Sequence, residues 1–75
     1  MSSEINKILD DCLNKVVLIK LKNRTILQGT LKVFDPHMNL LLTDSQDITE
    51  DKAKNLDKII LRGDNIIAVS LQENE

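Results

Sequence analysis

Apart from Phe34 this 75-residue chain has no aromatic side chain, with neither Trp nor Tyr. The planar groups it can offer in loops are the imidazole of its one histidine, His37, and a guanidinium. His37 lies in the turn Asp35-Pro36-His37, and Arg62 ends the apolar run Leu56–Arg62 just ahead of Gly63-Asp64-Asn65. A nucleobase slotted between the two would be stacked on both faces, at about 1–3 kcal/mol per base. Taken singly, each reads as readily as an exposed turn residue or a solvated strand end. Asn39 could read the edge of such a base, donating to uracil O4 and accepting from N3–H. Turned over, the same amide suits cytosine or adenine, so something has to orient it. Ionised Asp35 accepts only, and by taking one Asn39 N–H it would aim the other at O4. Both residues would also serve as ordinary turn formers bonding to local backbone. Guanine shows the same edge pattern as uracil and has to be excluded by size. Gly63 permits close backbone approach, and Asp64 either braces Arg62 by a charge-assisted bond or only completes a turn.

Other chemistries lack their parts. A ribonuclease built on His37 and Asp35 would need a second positioned proton carrier or a metal. One cysteine, Cys12, and one histidine cannot build a zinc site or an internal disulfide, so no metal or cofactor is expected and Cys12 reads as core. The acidic stretch after Thr43 lacks the glycine and ligand spacing of a calcium loop. Arg62-Gly63-Asp64 matches an adhesion tripeptide, a reading that a strand turn in a cytoplasmic protein does not support. A protein-interaction barrel of SH3 type would need an aromatic groove that one phenylalanine cannot supply.

The length allows one domain, taken as residues 1–75, and so small a core is marginal unless copies associate. No run of 18 apolar residues suggests a membrane span, no signal peptide opens the chain, and a reducing cytoplasm is the expected compartment. The formal charge of −2 is unusual for a nucleic-acid partner, but it is unevenly spread. Val16–Phe34 carries four bases (Lys20, Lys22, Arg24, Lys32) and no acid, whereas Asp35–Lys58 carries six acids and three bases. Lys22 and Arg24, in the first hairpin, could guide phosphates or be merely solvated.

Ile5, Ile8, Leu9, Cys12, Leu13 and Val16 recur at helical spacing, which predicts a helix over residues 4–14 with its apolar face on the core. Ser2 or Ser3 would cap it, and Glu4 suits its first turn. Strands are expected at Val16–Leu21, Thr25–Phe34, Met38–Thr43, Leu56–Arg62 and Ile66–Leu71. Asn23 is the residue best suited to a positive φ in the first turn. Gly29 should bend the second strand, and the broken parity before Phe34 predicts a bulge near Lys32 or Val33. Ser45–Asn55 reads as a polar, acidic connector. One helix and five bent strands make a small barrel, a mostly β fold. The fourth and fifth strands are apolar on both faces, which predicts pairing with another subunit and a ring where the rotation closes.

Two segments then stand out: Gly29-Thr30-Leu31-Lys32-Val33-Phe34-Asp35-Pro36-His37-Met38-Asn39-Leu40, and Ile60-Leu61-Arg62-Gly63-Asp64-Asn65-Ile66. Together they resemble the two signatures of the Sm and Sm-like (LSm) family in its archaeal form, over about Asn6 to Ser70. Arg24 departs from the resemblance, since many relatives carry glycine there. The resemblance implies the Sm fold, a helix-capped five-stranded antiparallel SH3-like barrel, and rings of usually seven subunits. It also implies binding of single-stranded uridine-rich RNA around the pore, without catalysis, as a scaffold or chaperone in RNA processing. Other RNA-processing proteins are then further candidate partners. Under it, Asp35, His37, Asn39, Arg62, Gly63 and Asp64 become the RNA-binding set.

Overall fold

The computed structural model describes residues 3–72. Helix α1 (Ser3–Asp11) is followed by strands β1 (Val16–Leu21), β2 (Ile26–Phe34), β3 (Leu40–Asp47), β4 (Lys54–Leu61) and β5 (Ile66–Leu71). They form one antiparallel sheet in the order β4-β3-β2-β1-β5. Its core is one cluster of Val17, Ile19, Leu27, Leu31, Leu40 and Leu42, all buried, joined by Cys12 of the turn after α1. Alternation sets this pattern: Leu40 and Leu42 point in, so Asn39 and Leu41 fall on the other parity.

The helix is shorter than its periodicity predicts. Beyond Asp11 the amides of Cys12, Leu13 and Lys15 bond three residues back, and Asn14 takes φ 65°, the left-handed conformation that ends helices. Asn14 N–H then donates to Leu31 O at 2.7 Å, tying this turn to β2. Only part of the apolar stripe meets the core: Leu9 and Cys12 are buried, but Ile5 and Ile8 are exposed. A cap from Ser2 lies outside the described residues, and Ser3 is the first residue of the helix itself.

In the first turn Arg24, not Asn23, has the positive φ, 69°. Asn23 acts through its side chain instead, Oδ1 accepting the Thr25 N–H at 3.1 Å. The departure noted at Arg24 therefore falls on the position where glycine would be strain-free. The register of β2 against β3 shifts between Gln28 and Thr30, and again between Leu31 and Val33, where the bend and the bulge are expected. At Gly29 the neighbour strand comes so near that a Cβ would sit 2.9 Å from Ser45 Oγ and 3.3 Å from Leu42 Cβ.

The acidic connector is shorter than Ser45–Asn55, because Ser45–Asp47 extends β3 and Lys54–Asn55 extends β4. A side-chain clip makes the extension possible. Thr49 Oγ1 accepts the Ile26 N–H at 2.9 Å and donates to Asp47 Oδ1 at 2.6 Å, so the hairpin end folds back onto the start of β2. At the other end, β3 begins at Leu40 rather than Met38, since Met38 has φ 67° and still belongs to the preceding turn.

Ser45 is fully buried, and its Oγ finds no hydrogen-bond partner among the described residues. A buried hydroxyl without a partner costs about 1–3 kcal/mol. Ser45→Ala should therefore raise stability by about 1 kcal/mol or more, read as a higher urea midpoint at one fixed protein concentration. An unchanged or lower midpoint would show that the hydroxyl is satisfied.

Candidate nucleic-acid interface

The site is built from two loops, 35–39 between β2 and β3 and 62–65 between β4 and β5. The first is organised by one carboxylate. Asp35 Oδ1 accepts the N–H groups of His37 (2.9 Å) and Asn39 (3.0 Å), and Oδ2 accepts Asn39 Nδ2–H at 2.9 Å. Backbone bonds from Asp35 N–H to Asn39 O and from Met38 N–H to Asp35 O complete the turn. Pro36 at its second position has the fixed φ such a turn uses and no N–H to leave unpaired. The Asn39 side-chain bond, then its backbone bond, hold the Asp35 carboxyl below its ordinary value of 3.8.

The second loop is a single 3₁₀ turn, Gly63–Asn65, entered from an extended Arg62. Gly63 N–H donates to Asn39 Oδ1 at 2.8 Å. The loops touch so closely that a Cβ on Gly63 would lie 2.0 Å from His37 O and 2.9 Å from Met38 C. Gly63 does not have a positive φ, so glycine is needed here for room and not for conformation.

Asn39 is therefore fixed from both ends. A carboxylate can only accept and a backbone N–H can only donate, so the amide has one possible orientation. One N–H and one oxygen lone pair remain, a donor beside an acceptor, complementary to O4 and N3–H of uracil. They border an open hollow of about 470 Å³ lined by His37, Met38, Asn39, Arg62, Gly63 and Asp64. Five of the six residues singled out in the sequence meet in it, and Asp35 stands behind Asn39 as the orienting group. Two features were not foreseen. Met38 lines the hollow, an apolar residue in a polar turn, which was the available signal. The Gly63–Asn39 bond joins residues 24 apart and has no local signature. Arg62 and Asp64 make one contact, 3.5 Å between Nη2 and Oδ2, with side chains 77% and 65% exposed. So exposed a pair adds little, and the guanidinium is left available. Lys22 N–H bonds to Asn65 O at 2.9 Å, which brings the basic first hairpin alongside the second loop.

The LSM domain family matches residues 7–71. An Sm-like protein from Thermococcus sibiricus is 38% identical over 69 residues, 91% of each chain. The crystal structure of a heptameric archaeal Sm protein superposes with a TM-score of 0.86 at 33% identity, covering 89% of this chain and 98% of that one. A Pyrococcus abyssii Sm protein in complex with a uridine heptamer gives a TM-score of 0.84 at 34% identity, over 89% and 96%.

Two outcomes follow from the doubly held amide. Asp35 is ionised down to a lower pH in the fold than in the unfolded chain, so its contribution is complete above the ordinary value of 3.8 and is lost as pH falls through the lowered one. The stability gap between wild type and Asp35→Asn should be flat above about pH 5 and close as the solution is acidified further. A gap that widens in acid would contradict the assignment. Gly63→Ala, in contrast, should separate the loops and release Asn39 Oδ1, and the preference for oligo-U over oligo-C should fall by about tenfold per occupied pocket, the worth of one hydrogen bond. Anisotropy titrations at one salt concentration check this, and an unchanged ratio in a folded variant would remove Gly63 from the lock.

Proposed function

The chain belongs to the LSM-domain family of Sm-like proteins, and from that premise we propose that it forms a ring, with seven subunits, that binds single-stranded uridine-rich RNA. The observation that carries the reading is the Asn39 amide, held so that its free donor and acceptor match uracil. His37 and Arg62, which line the same hollow, would stack on the base, and Asp64 and the Gly63 backbone would border it. Residues 1–75 act as one Sm-like domain, with Lys22 guiding phosphates beside the second loop.

Assembly is supported by the sheet itself. Among the described residues β4 and β5 are its two edges and do not pair with each other. Each edge carries a large exposed apolar side chain, Ile60 at 75% and Ile67 at 58%. Two different edges that seek a partner make a head-to-tail contact, which closes into a ring when the rotation permits. Successive bases of one strand then bind intramolecularly, which raises avidity.

The role is scaffolding or chaperoning of RNA, without catalysis. Both Asp35 oxygens are engaged as acceptors, and the bonds that engage them make it a weak base, the wrong direction for a proton carrier. No helix among the described residues is long and apolar enough to cross a membrane. The cytoplasm is the compartment we assign, consistent with a buried free thiol at Cys12.

Native mass spectrometry with and without oligo-U tests ring and ligand together, and a folded monomer at micromolar concentration would overturn the ring. His37→Ala or Arg62→Ala should each remove one stacking face, about 1–3 kcal/mol per pocket, and nearly abolish oligo-U binding while the ring persists. Wild-type titration curves from both variants would exclude the stack, and cleavage of labelled oligo-U would overturn the non-catalytic reading.

A further inference from the structure

The locked amide does not by itself separate uracil from guanine. Guanine O6 and N1–H repeat the pattern of uracil O4 and N3–H, so the free Nδ2–H and Oδ1 lone pair of Asn39 fit both. Size would have to make the distinction, and the structure sets no such limit. The hollow is open and holds about 470 Å³, room for a base of two fused rings as well as one. Stacking between His37 and Arg62 does not decide it either, since every base has a π-face. The remaining difference is the substituent next to N3–H or N1–H, an oxygen in uracil and an amino group in guanine.

The orientation of Asn39 fixes where that substituent goes. Asp35 is bonded at the Nδ2 end of the amide and Gly63 N–H at the Oδ1 end. A base paired with the amide puts O4 or O6 at Nδ2 and N3–H or N1–H at Oδ1. Its next substituent then falls past Oδ1, on the side of the Gly63–Asn65 turn, where Asp64 follows Gly63. Asp64 lines the hollow. Its Oδ2 meets Arg62 only at 3.5 Å, and with the side chain 65% exposed the carboxylate keeps lone pairs to offer. An ionised carboxylate accepts from an amino group and gains nothing from a carbonyl oxygen. We propose that the hollow takes guanine as well as uracil, with Asp64 accepting from the guanine amino group, so that uridine tracts interrupted by guanosine are ligands of this protein. The inference rests on the base-binding reading above and widens its ligand class.

Inosine isolates the contact, because it shares guanine's O6 and N1–H and lacks only the amino group. The probes are oligo-U strands in which one central base is replaced by guanine, inosine's base or cytosine, titrated by anisotropy at one salt concentration. With wild type, the guanosine strand should bind at least as tightly as all-uridine and about tenfold more tightly than the inosine strand, the worth of one hydrogen bond to a charged group. The cytidine strand, whose edge the locked amide does not match, should bind more weakly than the guanosine strand. Asp64→Ala should bring the guanosine and inosine strands together. Asp64→Asn, which keeps the size and loses the charge, should narrow the same gap and replaces it if the alanine variant fails to fold. A central guanosine as costly as cytidine overturns the inference and leaves the uridine reading standing. Equal binding of the guanosine and inosine strands to wild type, or a gap unchanged in the folded variants, removes Asp64 from the contact and also overturns it. A protein that does not bind all-uridine strands overturns the base-binding reading and this inference with it.

Discussion

The amide of Asn39 is held between a carboxylate on its own loop and a backbone N–H on another, and the rest of the site depends on that pair of contacts. Asp35 bonds to it four residues away and Gly63 twenty-four residues away, so one side chain joins a local turn to a distant strand end. The cross-loop bond requires the 62–65 turn to lie against the His37–Met38 backbone, and only a residue without a Cβ fits there. The chain has two glycines, and the structure uses both for close approach, Gly29 under β3 and Gly63 under the first loop. An amide free to turn over would match the edges of all four bases. Held at both ends, it presents one pattern.

The strands that end at these loops bring a second constraint. β3 starts with Leu40 and Leu42 buried, which fixes Asn39 and Leu41 on the opposite parity and so aims the amide away from the core. β4, which delivers Arg62, has only β3 beside it. The buried apolar set is small, a handful of Leu, Ile and Val side chains with Cys12, as expected where so much of a short chain remains exposed. In the proposed ring, burial of the outward isoleucines between copies would add the apolar area that one subunit lacks. It would also pair the edge amides that a lone sheet leaves to solvent.

Much of this was legible in the residues, and the misses have physical causes. Alternation in Val16–Leu21 and the parity break before Phe34 located β1 and the bulge, because both signals are local. The apolar period overruns the helix end because it continues through Leu13, whereas a left-handed Asn14 tied to Leu31 stops the helix. Ile5 and Ile8 share that period yet are exposed, since periodicity defines a face and not how much of it the sheet covers. Intrinsic preference points to Asn23 for the positive φ, but its side chain caps the turn and the strained position falls to Arg24. The six residues named for the base site gather around one hollow. The Gly63 N–H that completes the lock was invisible, because a backbone donor has no residue type to betray it.

A net acidic chain can still bind RNA where single cations stand at the site, and here Arg62 lines the hollow and Lys22 adjoins it. β3 leaves the site at Leu40 and carries its acids away: by Asp47 it has covered about 23 Å along its path. Asp47 is further occupied by Thr49, and its partner across the ladder is Lys54. Lys22 lies in a hairpin whose backbone is bonded to Asn65, next to the loop that holds Gly63. Arg62 lines the hollow and Lys22 adjoins it, while Asp44, Asp47, Glu50 and Asp51 lie along and beyond the far end of β3. Such a surface gathers few phosphates per subunit, so the purely electrostatic share of binding is small and the salt dependence correspondingly shallow. In the proposed ring, affinity would then come from stacking and edge contacts repeated from subunit to subunit, the terms that distinguish one base from another.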